Sequence, residues 1–118
     1  ENGISSPIKP MRFIRKKEEY YFAFDDIKEA KYGTYGMSII MILQNNESIF
    51  FSIGNKDYDG FIELAKRLET LPQGIRKPNM KVVFDYMNIH SQWLRGKATK
   101  KEMNRAFRRM ASVNRDFA

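Results

Sequence analysis

Hydrophobic and polar positions follow two different periods along this chain of 118 residues. In the first half, short runs that alternate or are wholly apolar predict β-strands at Met11–Lys17, Glu19–Phe24, Ile27–Thr34, Ser38–Gln44 and Ser48–Gly54. The last two should form an antiparallel hairpin, because Asn45-Asn46-Glu47 is a compact connection in which asparagine tolerates a positive φ. The run Ser38–Gln44 is apolar enough to predict a central strand that is buried on both faces.

From residue 57 onward the apolar positions recur every three or four residues, which is the pattern of amphipathic helices. The first predicted helix covers Asp57–Thr70, and either Asn55 or Asp57 can cap its start. A following Leu-Pro-Gln-Gly segment should end it. The second predicted helix covers Met80–Leu94, with Gly96 as its C-terminal stop.

A third helix should begin at a capping box. The Thr99 hydroxyl can accept a bond from the Glu102 N–H, while the Glu102 carboxylate accepts one from the Thr99 N–H. The predicted apolar face of the second helix carries Val83, Tyr86, Met87, His90 and Leu94, with Trp93 beside them. That of the third carries Met103, Ala106, Phe107, Met110 and Val113. Two such faces in succession predict a helical hairpin.

Taken together, these elements predict an α+β fold. We expect a strongly bent antiparallel sheet or partial barrel that is closed by the helix Asp57–Thr70, with a C-terminal helical hairpin appended. The β-rich domain should cover residues 1–71. Residues 72–118 should form a basic helical extension that packs on the same domain.

Charge is the feature of the composition that says most about function, because it is distributed unevenly along the chain. Residues 76–118 carry eleven Lys and Arg against three Asp and Glu, whereas residues 1–75 carry ten against eleven. Clustered Lys and Arg attract anions, so the tail predicts an anionic surface or an acidic protein partner. The candidate binding residues are the basic positions of the last helix, with Arg109 on its flank: Lys100, Lys101, Arg105, Arg108, Arg109 and Arg115.

The other polar residues predict no enzyme, metal or cofactor. His90 is the only histidine and falls on an apolar helix face, where a packed ring is expected. The adjacent Asp25-Asp26 indicates a solvated turn, and Asp57 and Asp59 suit a helix N-terminus. The segment from Gly33 to Gly36 lacks the spacing and the Lys of a phosphate-binding loop and predicts a turn. The chain has no cysteine, which excludes disulfides and thiolate chemistry.

The sequence contains no candidate membrane span. Its longest uninterrupted apolar run is Ile39–Leu43, against the roughly 20 residues that a spanning helix needs. Because the chain begins with Glu1 rather than Met, we expect it to be a fragment of a longer protein, with a membrane segment upstream as a hypothesis.

The order of elements resembles the pleckstrin-homology-like (PH-like) domain of bacterial membrane-associated proteins. In such domains a strand leads through an Asp-Ile pair into the next strand, as at Asp26-Ile27 here. An apolar hairpin with a polar tip follows, matched by Ser38 to Ile53. The closing helix is matched by Phe61, Ile62, Leu64 and Leu68, and the opening of the first strand by Glu1-Asn2-Gly3-Ile4. The resemblance covers residues 2–71.

This resemblance implies a non-catalytic binding platform or adaptor on the cytoplasmic side of a membrane. Some eukaryotic PH domains bind phosphoinositide headgroups through basic residues of the first hairpin, for which Arg12, Arg15, Lys16 and Lys17 are the nearest match. Glu18 and Glu19 follow directly and would neutralise part of that field. A headgroup role for this loop is therefore disfavoured.

Three functional hypotheses follow from these observations. The preferred one is a non-enzymatic binding or scaffolding module whose cationic helix faces an anionic lipid surface or an acidic protein, with homo-oligomerisation left open. The alternative is a nucleic-acid-binding module that uses the same helix. A third is a toxin- or effector-associated protein whose tail binds an acidic partner.

Overall fold

Strands come first and helices last along residues 2–8, 10, 20–53 and 58–118, the part of the chain that the computed structural model describes. The strands are β1 (Gly3–Ser5), β2 (Tyr21–Ala23), β3 (Ile27–Gly33), β4 (Ser38–Leu43) and β5 (Ser48–Ser52). The helices are α1 (Tyr58–Leu68), α2 (Met80–Leu94) and α3 (Lys100–Val113). Short 3-10 turns occupy Phe24–Asp26, Thr34–Gly36 and Arg115–Phe117. The predicted α+β class is confirmed.

The strands form two small sheets. In the first, β1 pairs antiparallel with β2 and places Ile4 opposite Phe22. The second has the order β3-β4-β5, and its antiparallel pair β4–β5 places Ile39 opposite Phe51. All four of these side chains are buried, so each register brings apolar residues into the core.

The hairpin between β4 and β5 has the predicted geometry. Asn46 adopts a positive φ of 68°, and its N–H donates to the Leu43 carbonyl at 2.8 Å. The Asn45 side-chain oxygen accepts the Glu47 N–H at 2.9 Å. On β4, Ile39 and Met41 are fully buried while Ile40 is only half-buried. The expectation that this strand is buried on both faces is therefore wrong for the face that carries Ile40 and Ile42, both of which are half-buried.

Helix α1 packs its apolar side inward, with Phe61, Leu64 and Leu68 fully buried. It ends two residues before the predicted Thr70, because the Glu69 and Thr70 N–H groups bond three residues back and tighten the chain into a turn. The predicted caps Asn55 and Asp57 lie outside the described residues, as do the strand Met11–Lys17 and the basic positions of the first hairpin loop.

Strand β2 is shorter than predicted at both ends. At its start Tyr20 lies before the strand, and Glu19 lies outside the described residues; at its end Phe24 belongs to the 3-10 turn Phe24–Asp26 rather than to the strand. The Phe24 N–H still donates to the Asn2 carbonyl at 2.8 Å. The two aspartates are exposed in this turn, in agreement with the prediction of a solvated interruption.

The described residues fall into two compact units. The strand unit comprises Glu1–Lys31 and Ser38–Arg76, and the helix unit comprises Tyr32–Met37 and Lys77–Ala118. Nothing in the hydrophobic pattern predicts that residues 32–37 cluster with the last two helices. The predicted division into residues 1–71 and 72–118 stays a prediction.

Candidate functional site

Helix α2 has a defined cap at each end. The Asn79 side-chain oxygen accepts the N–H groups of Lys81 and Val82 at 3.0 and 3.3 Å, which satisfies two donors of the first turn. At the other end Gly96 adopts a φ of 72°, and the Lys97 N–H donates to the Gln92 carbonyl at 2.8 Å. This is a Schellman arrangement, and it confirms the predicted glycine stop.

Helix α3 begins at the predicted capping box. The Thr99 hydroxyl accepts the Glu102 N–H at 3.0 Å, and the Glu102 carboxylate accepts the Thr99 N–H at 2.9 Å. The hydrogen bond that the Glu102 carboxylate accepts from the Thr99 N–H has the largest effect on the pKa of Glu102 and lowers it from its ordinary value. The hydrogen bond from the Thr99 hydroxyl lowers it further, and the positive charge of Arg105 makes a smaller contribution. The start of the helix is therefore fixed by local sequence alone.

Asn114 is a buried polar hub at the end of α3. Its side-chain NH₂ donates to the Tyr35 and Asn79 carbonyls, both at 3.0 Å, and its side-chain oxygen accepts the Asn79 N–H at 2.8 Å. Only 2% of the residue is exposed. One amide side chain thus joins the end of α3, the start of α2 and the 3-10 turn at residues 34–36. Sequence reasoning missed it, although an asparagine directly after the last apolar helix position was a visible signal.

The turn that Asn114 holds has an unusual backbone. Thr34, Tyr35 and Gly36 have φ values of 52°, 59° and 103°, so three successive residues are in the left-handed region. A Cβ on Gly36 would lie 2.7 Å from Cγ2 of Val83, so the close approach as well as the φ requires glycine. Because only glycine visits such conformations readily, this turn depends on the contacts that surround it.

A row of five aromatic rings runs through the helix unit. Tyr35 and Tyr86 lie edge-on to Phe107, with ring centroids 6.0 and 5.6 Å away, and His90 lies 5.7 Å from both Tyr86 and Trp93. Burial raises the pKa of the Tyr86 hydroxyl. The ring of His90 is therefore packed between neighbours, as its position on the helix predicts.

All six predicted basic residues are exposed. Lys101 and Arg108 lie seven residues apart, two turns along one side of α3, and Arg115 begins the 3-10 turn that follows. We call Lys101, Arg108 and Arg115 the basic stripe. Lys100 precedes it at the first residue of the helix. Lys101 and Arg108 therefore present positive charge to solvent on one side of α3, and Arg115 does so just beyond its end.

Arg105 and Arg109 have different surroundings. They line a groove between α2 and α3 together with Asp85 and Glu102, above the apolar side chains of Val82, Ile89 and Ala106. We call this cavity of about 270 Å³ the helix groove. The structure thus separates the six candidates, which the sequence treats as one set: Arg105 and Arg109 line a groove that also holds carboxylates, whereas Lys100 and the basic stripe lie outside that groove.

Three positions predicted to be on the apolar faces are exposed. Leu94 is 45% exposed at the last residue of α2, Val113 is 50% exposed at the last residue of α3, and Phe107 is 36% exposed. Val82, which was assigned to neither face, is buried instead. The predicted faces are wrong for these three residues. Leu94 and Val113 are the last residues of their helices, so no following turn covers them, and Phe107 belongs to a helix that fully buries only Met110.

Other features of the described residues do not form a chemical site. A cavity of about 330 Å³ in the strand unit is lined in part by Arg67, but this guanidinium already donates to the Ser5 carbonyl at 2.7 Å and to Glu63 at 3.2 Å. Within the described ranges no group of three or more His, Asp and Glu side chains could hold a metal ion, and no helix is both long and apolar enough to cross a bilayer.

Comparisons with protein-family models, with curated proteins and with solved structures found no match to this chain. Any functional conclusion therefore depends on the sequence and on the geometry of the described residues.

Proposed function

We propose that the chain is a non-catalytic binding module whose basic stripe docks on an anionic lipid surface, at the cytoplasmic side of a bacterial membrane. The observation that carries the proposal is the basic stripe, in which Lys101, Arg108 and Arg115 are all exposed, although the exposed Asp116 beside Arg115 offsets part of its charge. None of its three cations lines the helix groove, where Asp85 and Glu102 lie. An anionic surface that meets Lys101 and Arg108 is therefore attracted by exposed positive charge.

The charge distribution supports this proposal. Residues 77–118 carry ten Lys and Arg against three Asp and Glu, a net charge of +7 that equals the net charge of the whole chain. Each basic residue close to an anionic leaflet contributes about 1 kcal/mol of binding free energy. Three stripe residues together would thus supply about 3 kcal/mol, enough for reversible association but not for permanent anchoring.

A PH-like arrangement of the strand unit is part of the proposal. The order of β2, β3, the β4–β5 hairpin and α1 agrees with that of such domains. In this arrangement the two small sheets would close into a partial barrel around Phe51 and Phe61, both fully buried. A crystal structure tests this directly: continuous pairing between the sheets supports it, and two unconnected sheets would refute it.

Nucleic acid is the second candidate ligand, and the aromatic row beside a cationic helix favours it. Single-stranded nucleic acids bind to basic grooves in which bases stack on open aromatic faces. Here, however, the rings of Tyr35 and Tyr86 lie edge-on to Phe107, and both tyrosines are half-buried. The rings therefore stabilise the helix unit rather than offer stacking platforms, and the lipid surface is preferred.

Vesicle co-sedimentation tests the proposal. The chain should bind vesicles that contain phosphatidylserine, should not bind phosphatidylcholine vesicles, and should lose binding as salt is raised, because the stripe is solvent-exposed. The variant that combines Lys101→Glu with Arg108→Glu should lower the partition coefficient by at least about thirtyfold.

Two outcomes would contradict the proposal. Equal binding to anionic and neutral vesicles would exclude an electrostatic lipid surface as the ligand. Binding to single-stranded DNA with a steep salt dependence, in the absence of vesicle binding, would favour the nucleic-acid candidate instead.

A further inference from the structure

The helix groove differs from the basic stripe in the signs of its charges. Its rim carries Asp85 from α2, and Glu102, Arg105 and Arg109 from α3. A polyanion would meet two carboxylates here, so neither a lipid surface nor a nucleic acid suits the groove. A ligand for it must itself present both signs.

The rim charges are available to such a ligand. Within the described residues, no salt bridge of 4.0 Å or less joins Asp85, Arg105 or Arg109 to another side chain. Glu102 is engaged by Thr99 in the capping box. Asp85 of α2 and Arg109 of α3 thus line the same groove as an anion and a cation that form no salt bridge within the described residues.

An exposed apolar side chain accompanies the groove. Val113 lies four residues after Arg109 and seven after Ala106, so it continues the same side of α3. Half of it is exposed, whereas Val82 on the floor is only 4% exposed. The same face thus carries an apolar knob and, beside it, a cavity of about 270 Å³ with an apolar floor.

We propose that this face is a homodimer surface and that the occupant of the helix groove is a second copy of the chain. A twofold interface uses the same patch on both copies, so the patch must complement itself in charge and in shape. The face of the helix groove meets both requirements. Its rim carries positively and negatively charged side chains, and it presents both the exposed Val113 side chain and a cavity. In the proposed dimer, Asp85 of each copy faces Arg109 of the other, and the Val113 side chains fill the apolar floor.

Charge reversal tests this pairing. Sedimentation velocity over a concentration series should show a reversible dimer of the native chain. Asp85→Arg alone places like charges opposite each other at both symmetry-related contacts, and so does Arg109→Asp alone. Each single variant should therefore raise the dimer dissociation constant by at least about tenfold.

The decisive result is the rescue. An equimolar mixture of the Asp85→Arg chain and the Arg109→Asp chain restores opposite charges at both contacts, so a heterodimer should form. A chain that carries both substitutions should dimerise with itself for the same reason. A mixture that stays monomeric, while circular dichroism shows both chains to be folded, would overturn the proposal, as would a native chain that stays monomeric at its solubility limit.

A second pair of variants covers the case in which a charge reversal unfolds the chain. Val113→Asp should abolish the dimer, whereas Phe84→Asp, at a residue of α2 that is 37% exposed and does not line the groove, should leave it intact. Equal effects of these two substitutions would also refute the assignment. Neither result depends on lipid binding, which the basic stripe variant tests separately.

Discussion

The strand unit and the helix unit are stabilised in different ways. In the strand unit most fully buried side chains are apolar and large, among them Phe51, Phe61 and Leu64, and the polar one is the small Ser38. In the helix unit Met110 and Val83 share this burial with a polar residue, Asn114. The strand unit is also electrically neutral, whereas residues 77–118 carry the whole net charge. The comparison indicates that the helix unit, whose surface is cationic, has a small apolar core. Helix caps and the buried amide of Asn114 add to the stability that this core provides.

The largest expected effect is in the strand unit. Phe61→Ala removes a fully buried ring and should lower the free energy of unfolding by about 4 kcal/mol, because lost burial and a cavity add. The control is Phe50→Ala, the same substitution at a ring that is 36% exposed. Urea unfolding measures both. Similar losses for the two variants would contradict the view that apolar burial dominates this unit.

Next in size is the loss of the polar hub. Asn114→Ala leaves the Asn79 N–H and the Asn79 and Tyr35 carbonyls without their partner and should cost about 2 to 3 kcal/mol. Asn104→Ala, at an exposed asparagine of the same helix, should change the unfolding free energy by less than about 0.5 kcal/mol. If both variants unfold at the same urea concentration, the hub does not stabilise the helix unit.

The smallest effect concerns pH. The folded pKa of Glu102 lies below its ordinary value of 4.5, so its contribution to stability is present above that pH and is lost as the pH falls through the lower, folded pKa. Glu102→Gln keeps a capping side chain that does not titrate. The variant should therefore lose less thermal stability than the native chain between neutral pH and acid. Identical pH profiles would show that the carboxylate makes no such contribution.

Features set by neighbouring residues could be predicted from the sequence. The capping box at Thr99, the glycine stop at Gly96 and the asparagine turn at Asn46 each depend on residues at most a few positions apart, and all three are confirmed. The periodicity also places α2 at its observed bounds, Met80–Leu94. Local hydrogen bonding and helix geometry are sufficient in these cases.

Features that depend on packing could not be predicted. Asn114 forms hydrogen bonds with Asn79, which is 35 positions away in the sequence, and with Tyr35, which is 79 positions away. No local pattern indicates such distant partners. The division of the basic residues into a stripe and a groove likewise follows from the way α3 lies against α2, which places Asp85 and Arg109 on the lining of one groove. The exposed Val113 belongs to the same class, since helical periodicity assigns a face without showing what covers it.

The charge-matched comparison of the two units tests the central claim most directly. Lys101→Glu with Arg108→Glu in the helix unit, and Lys31→Glu with Lys66→Glu in the strand unit, change the net charge equally, and all four residues are exposed. Partitioning of both variants onto phosphatidylserine vesicles should differ: the helix-unit variant should lose binding, and the strand-unit variant should retain most of it. Equal losses would mean that net charge alone drives association and that the basic stripe is not a binding surface.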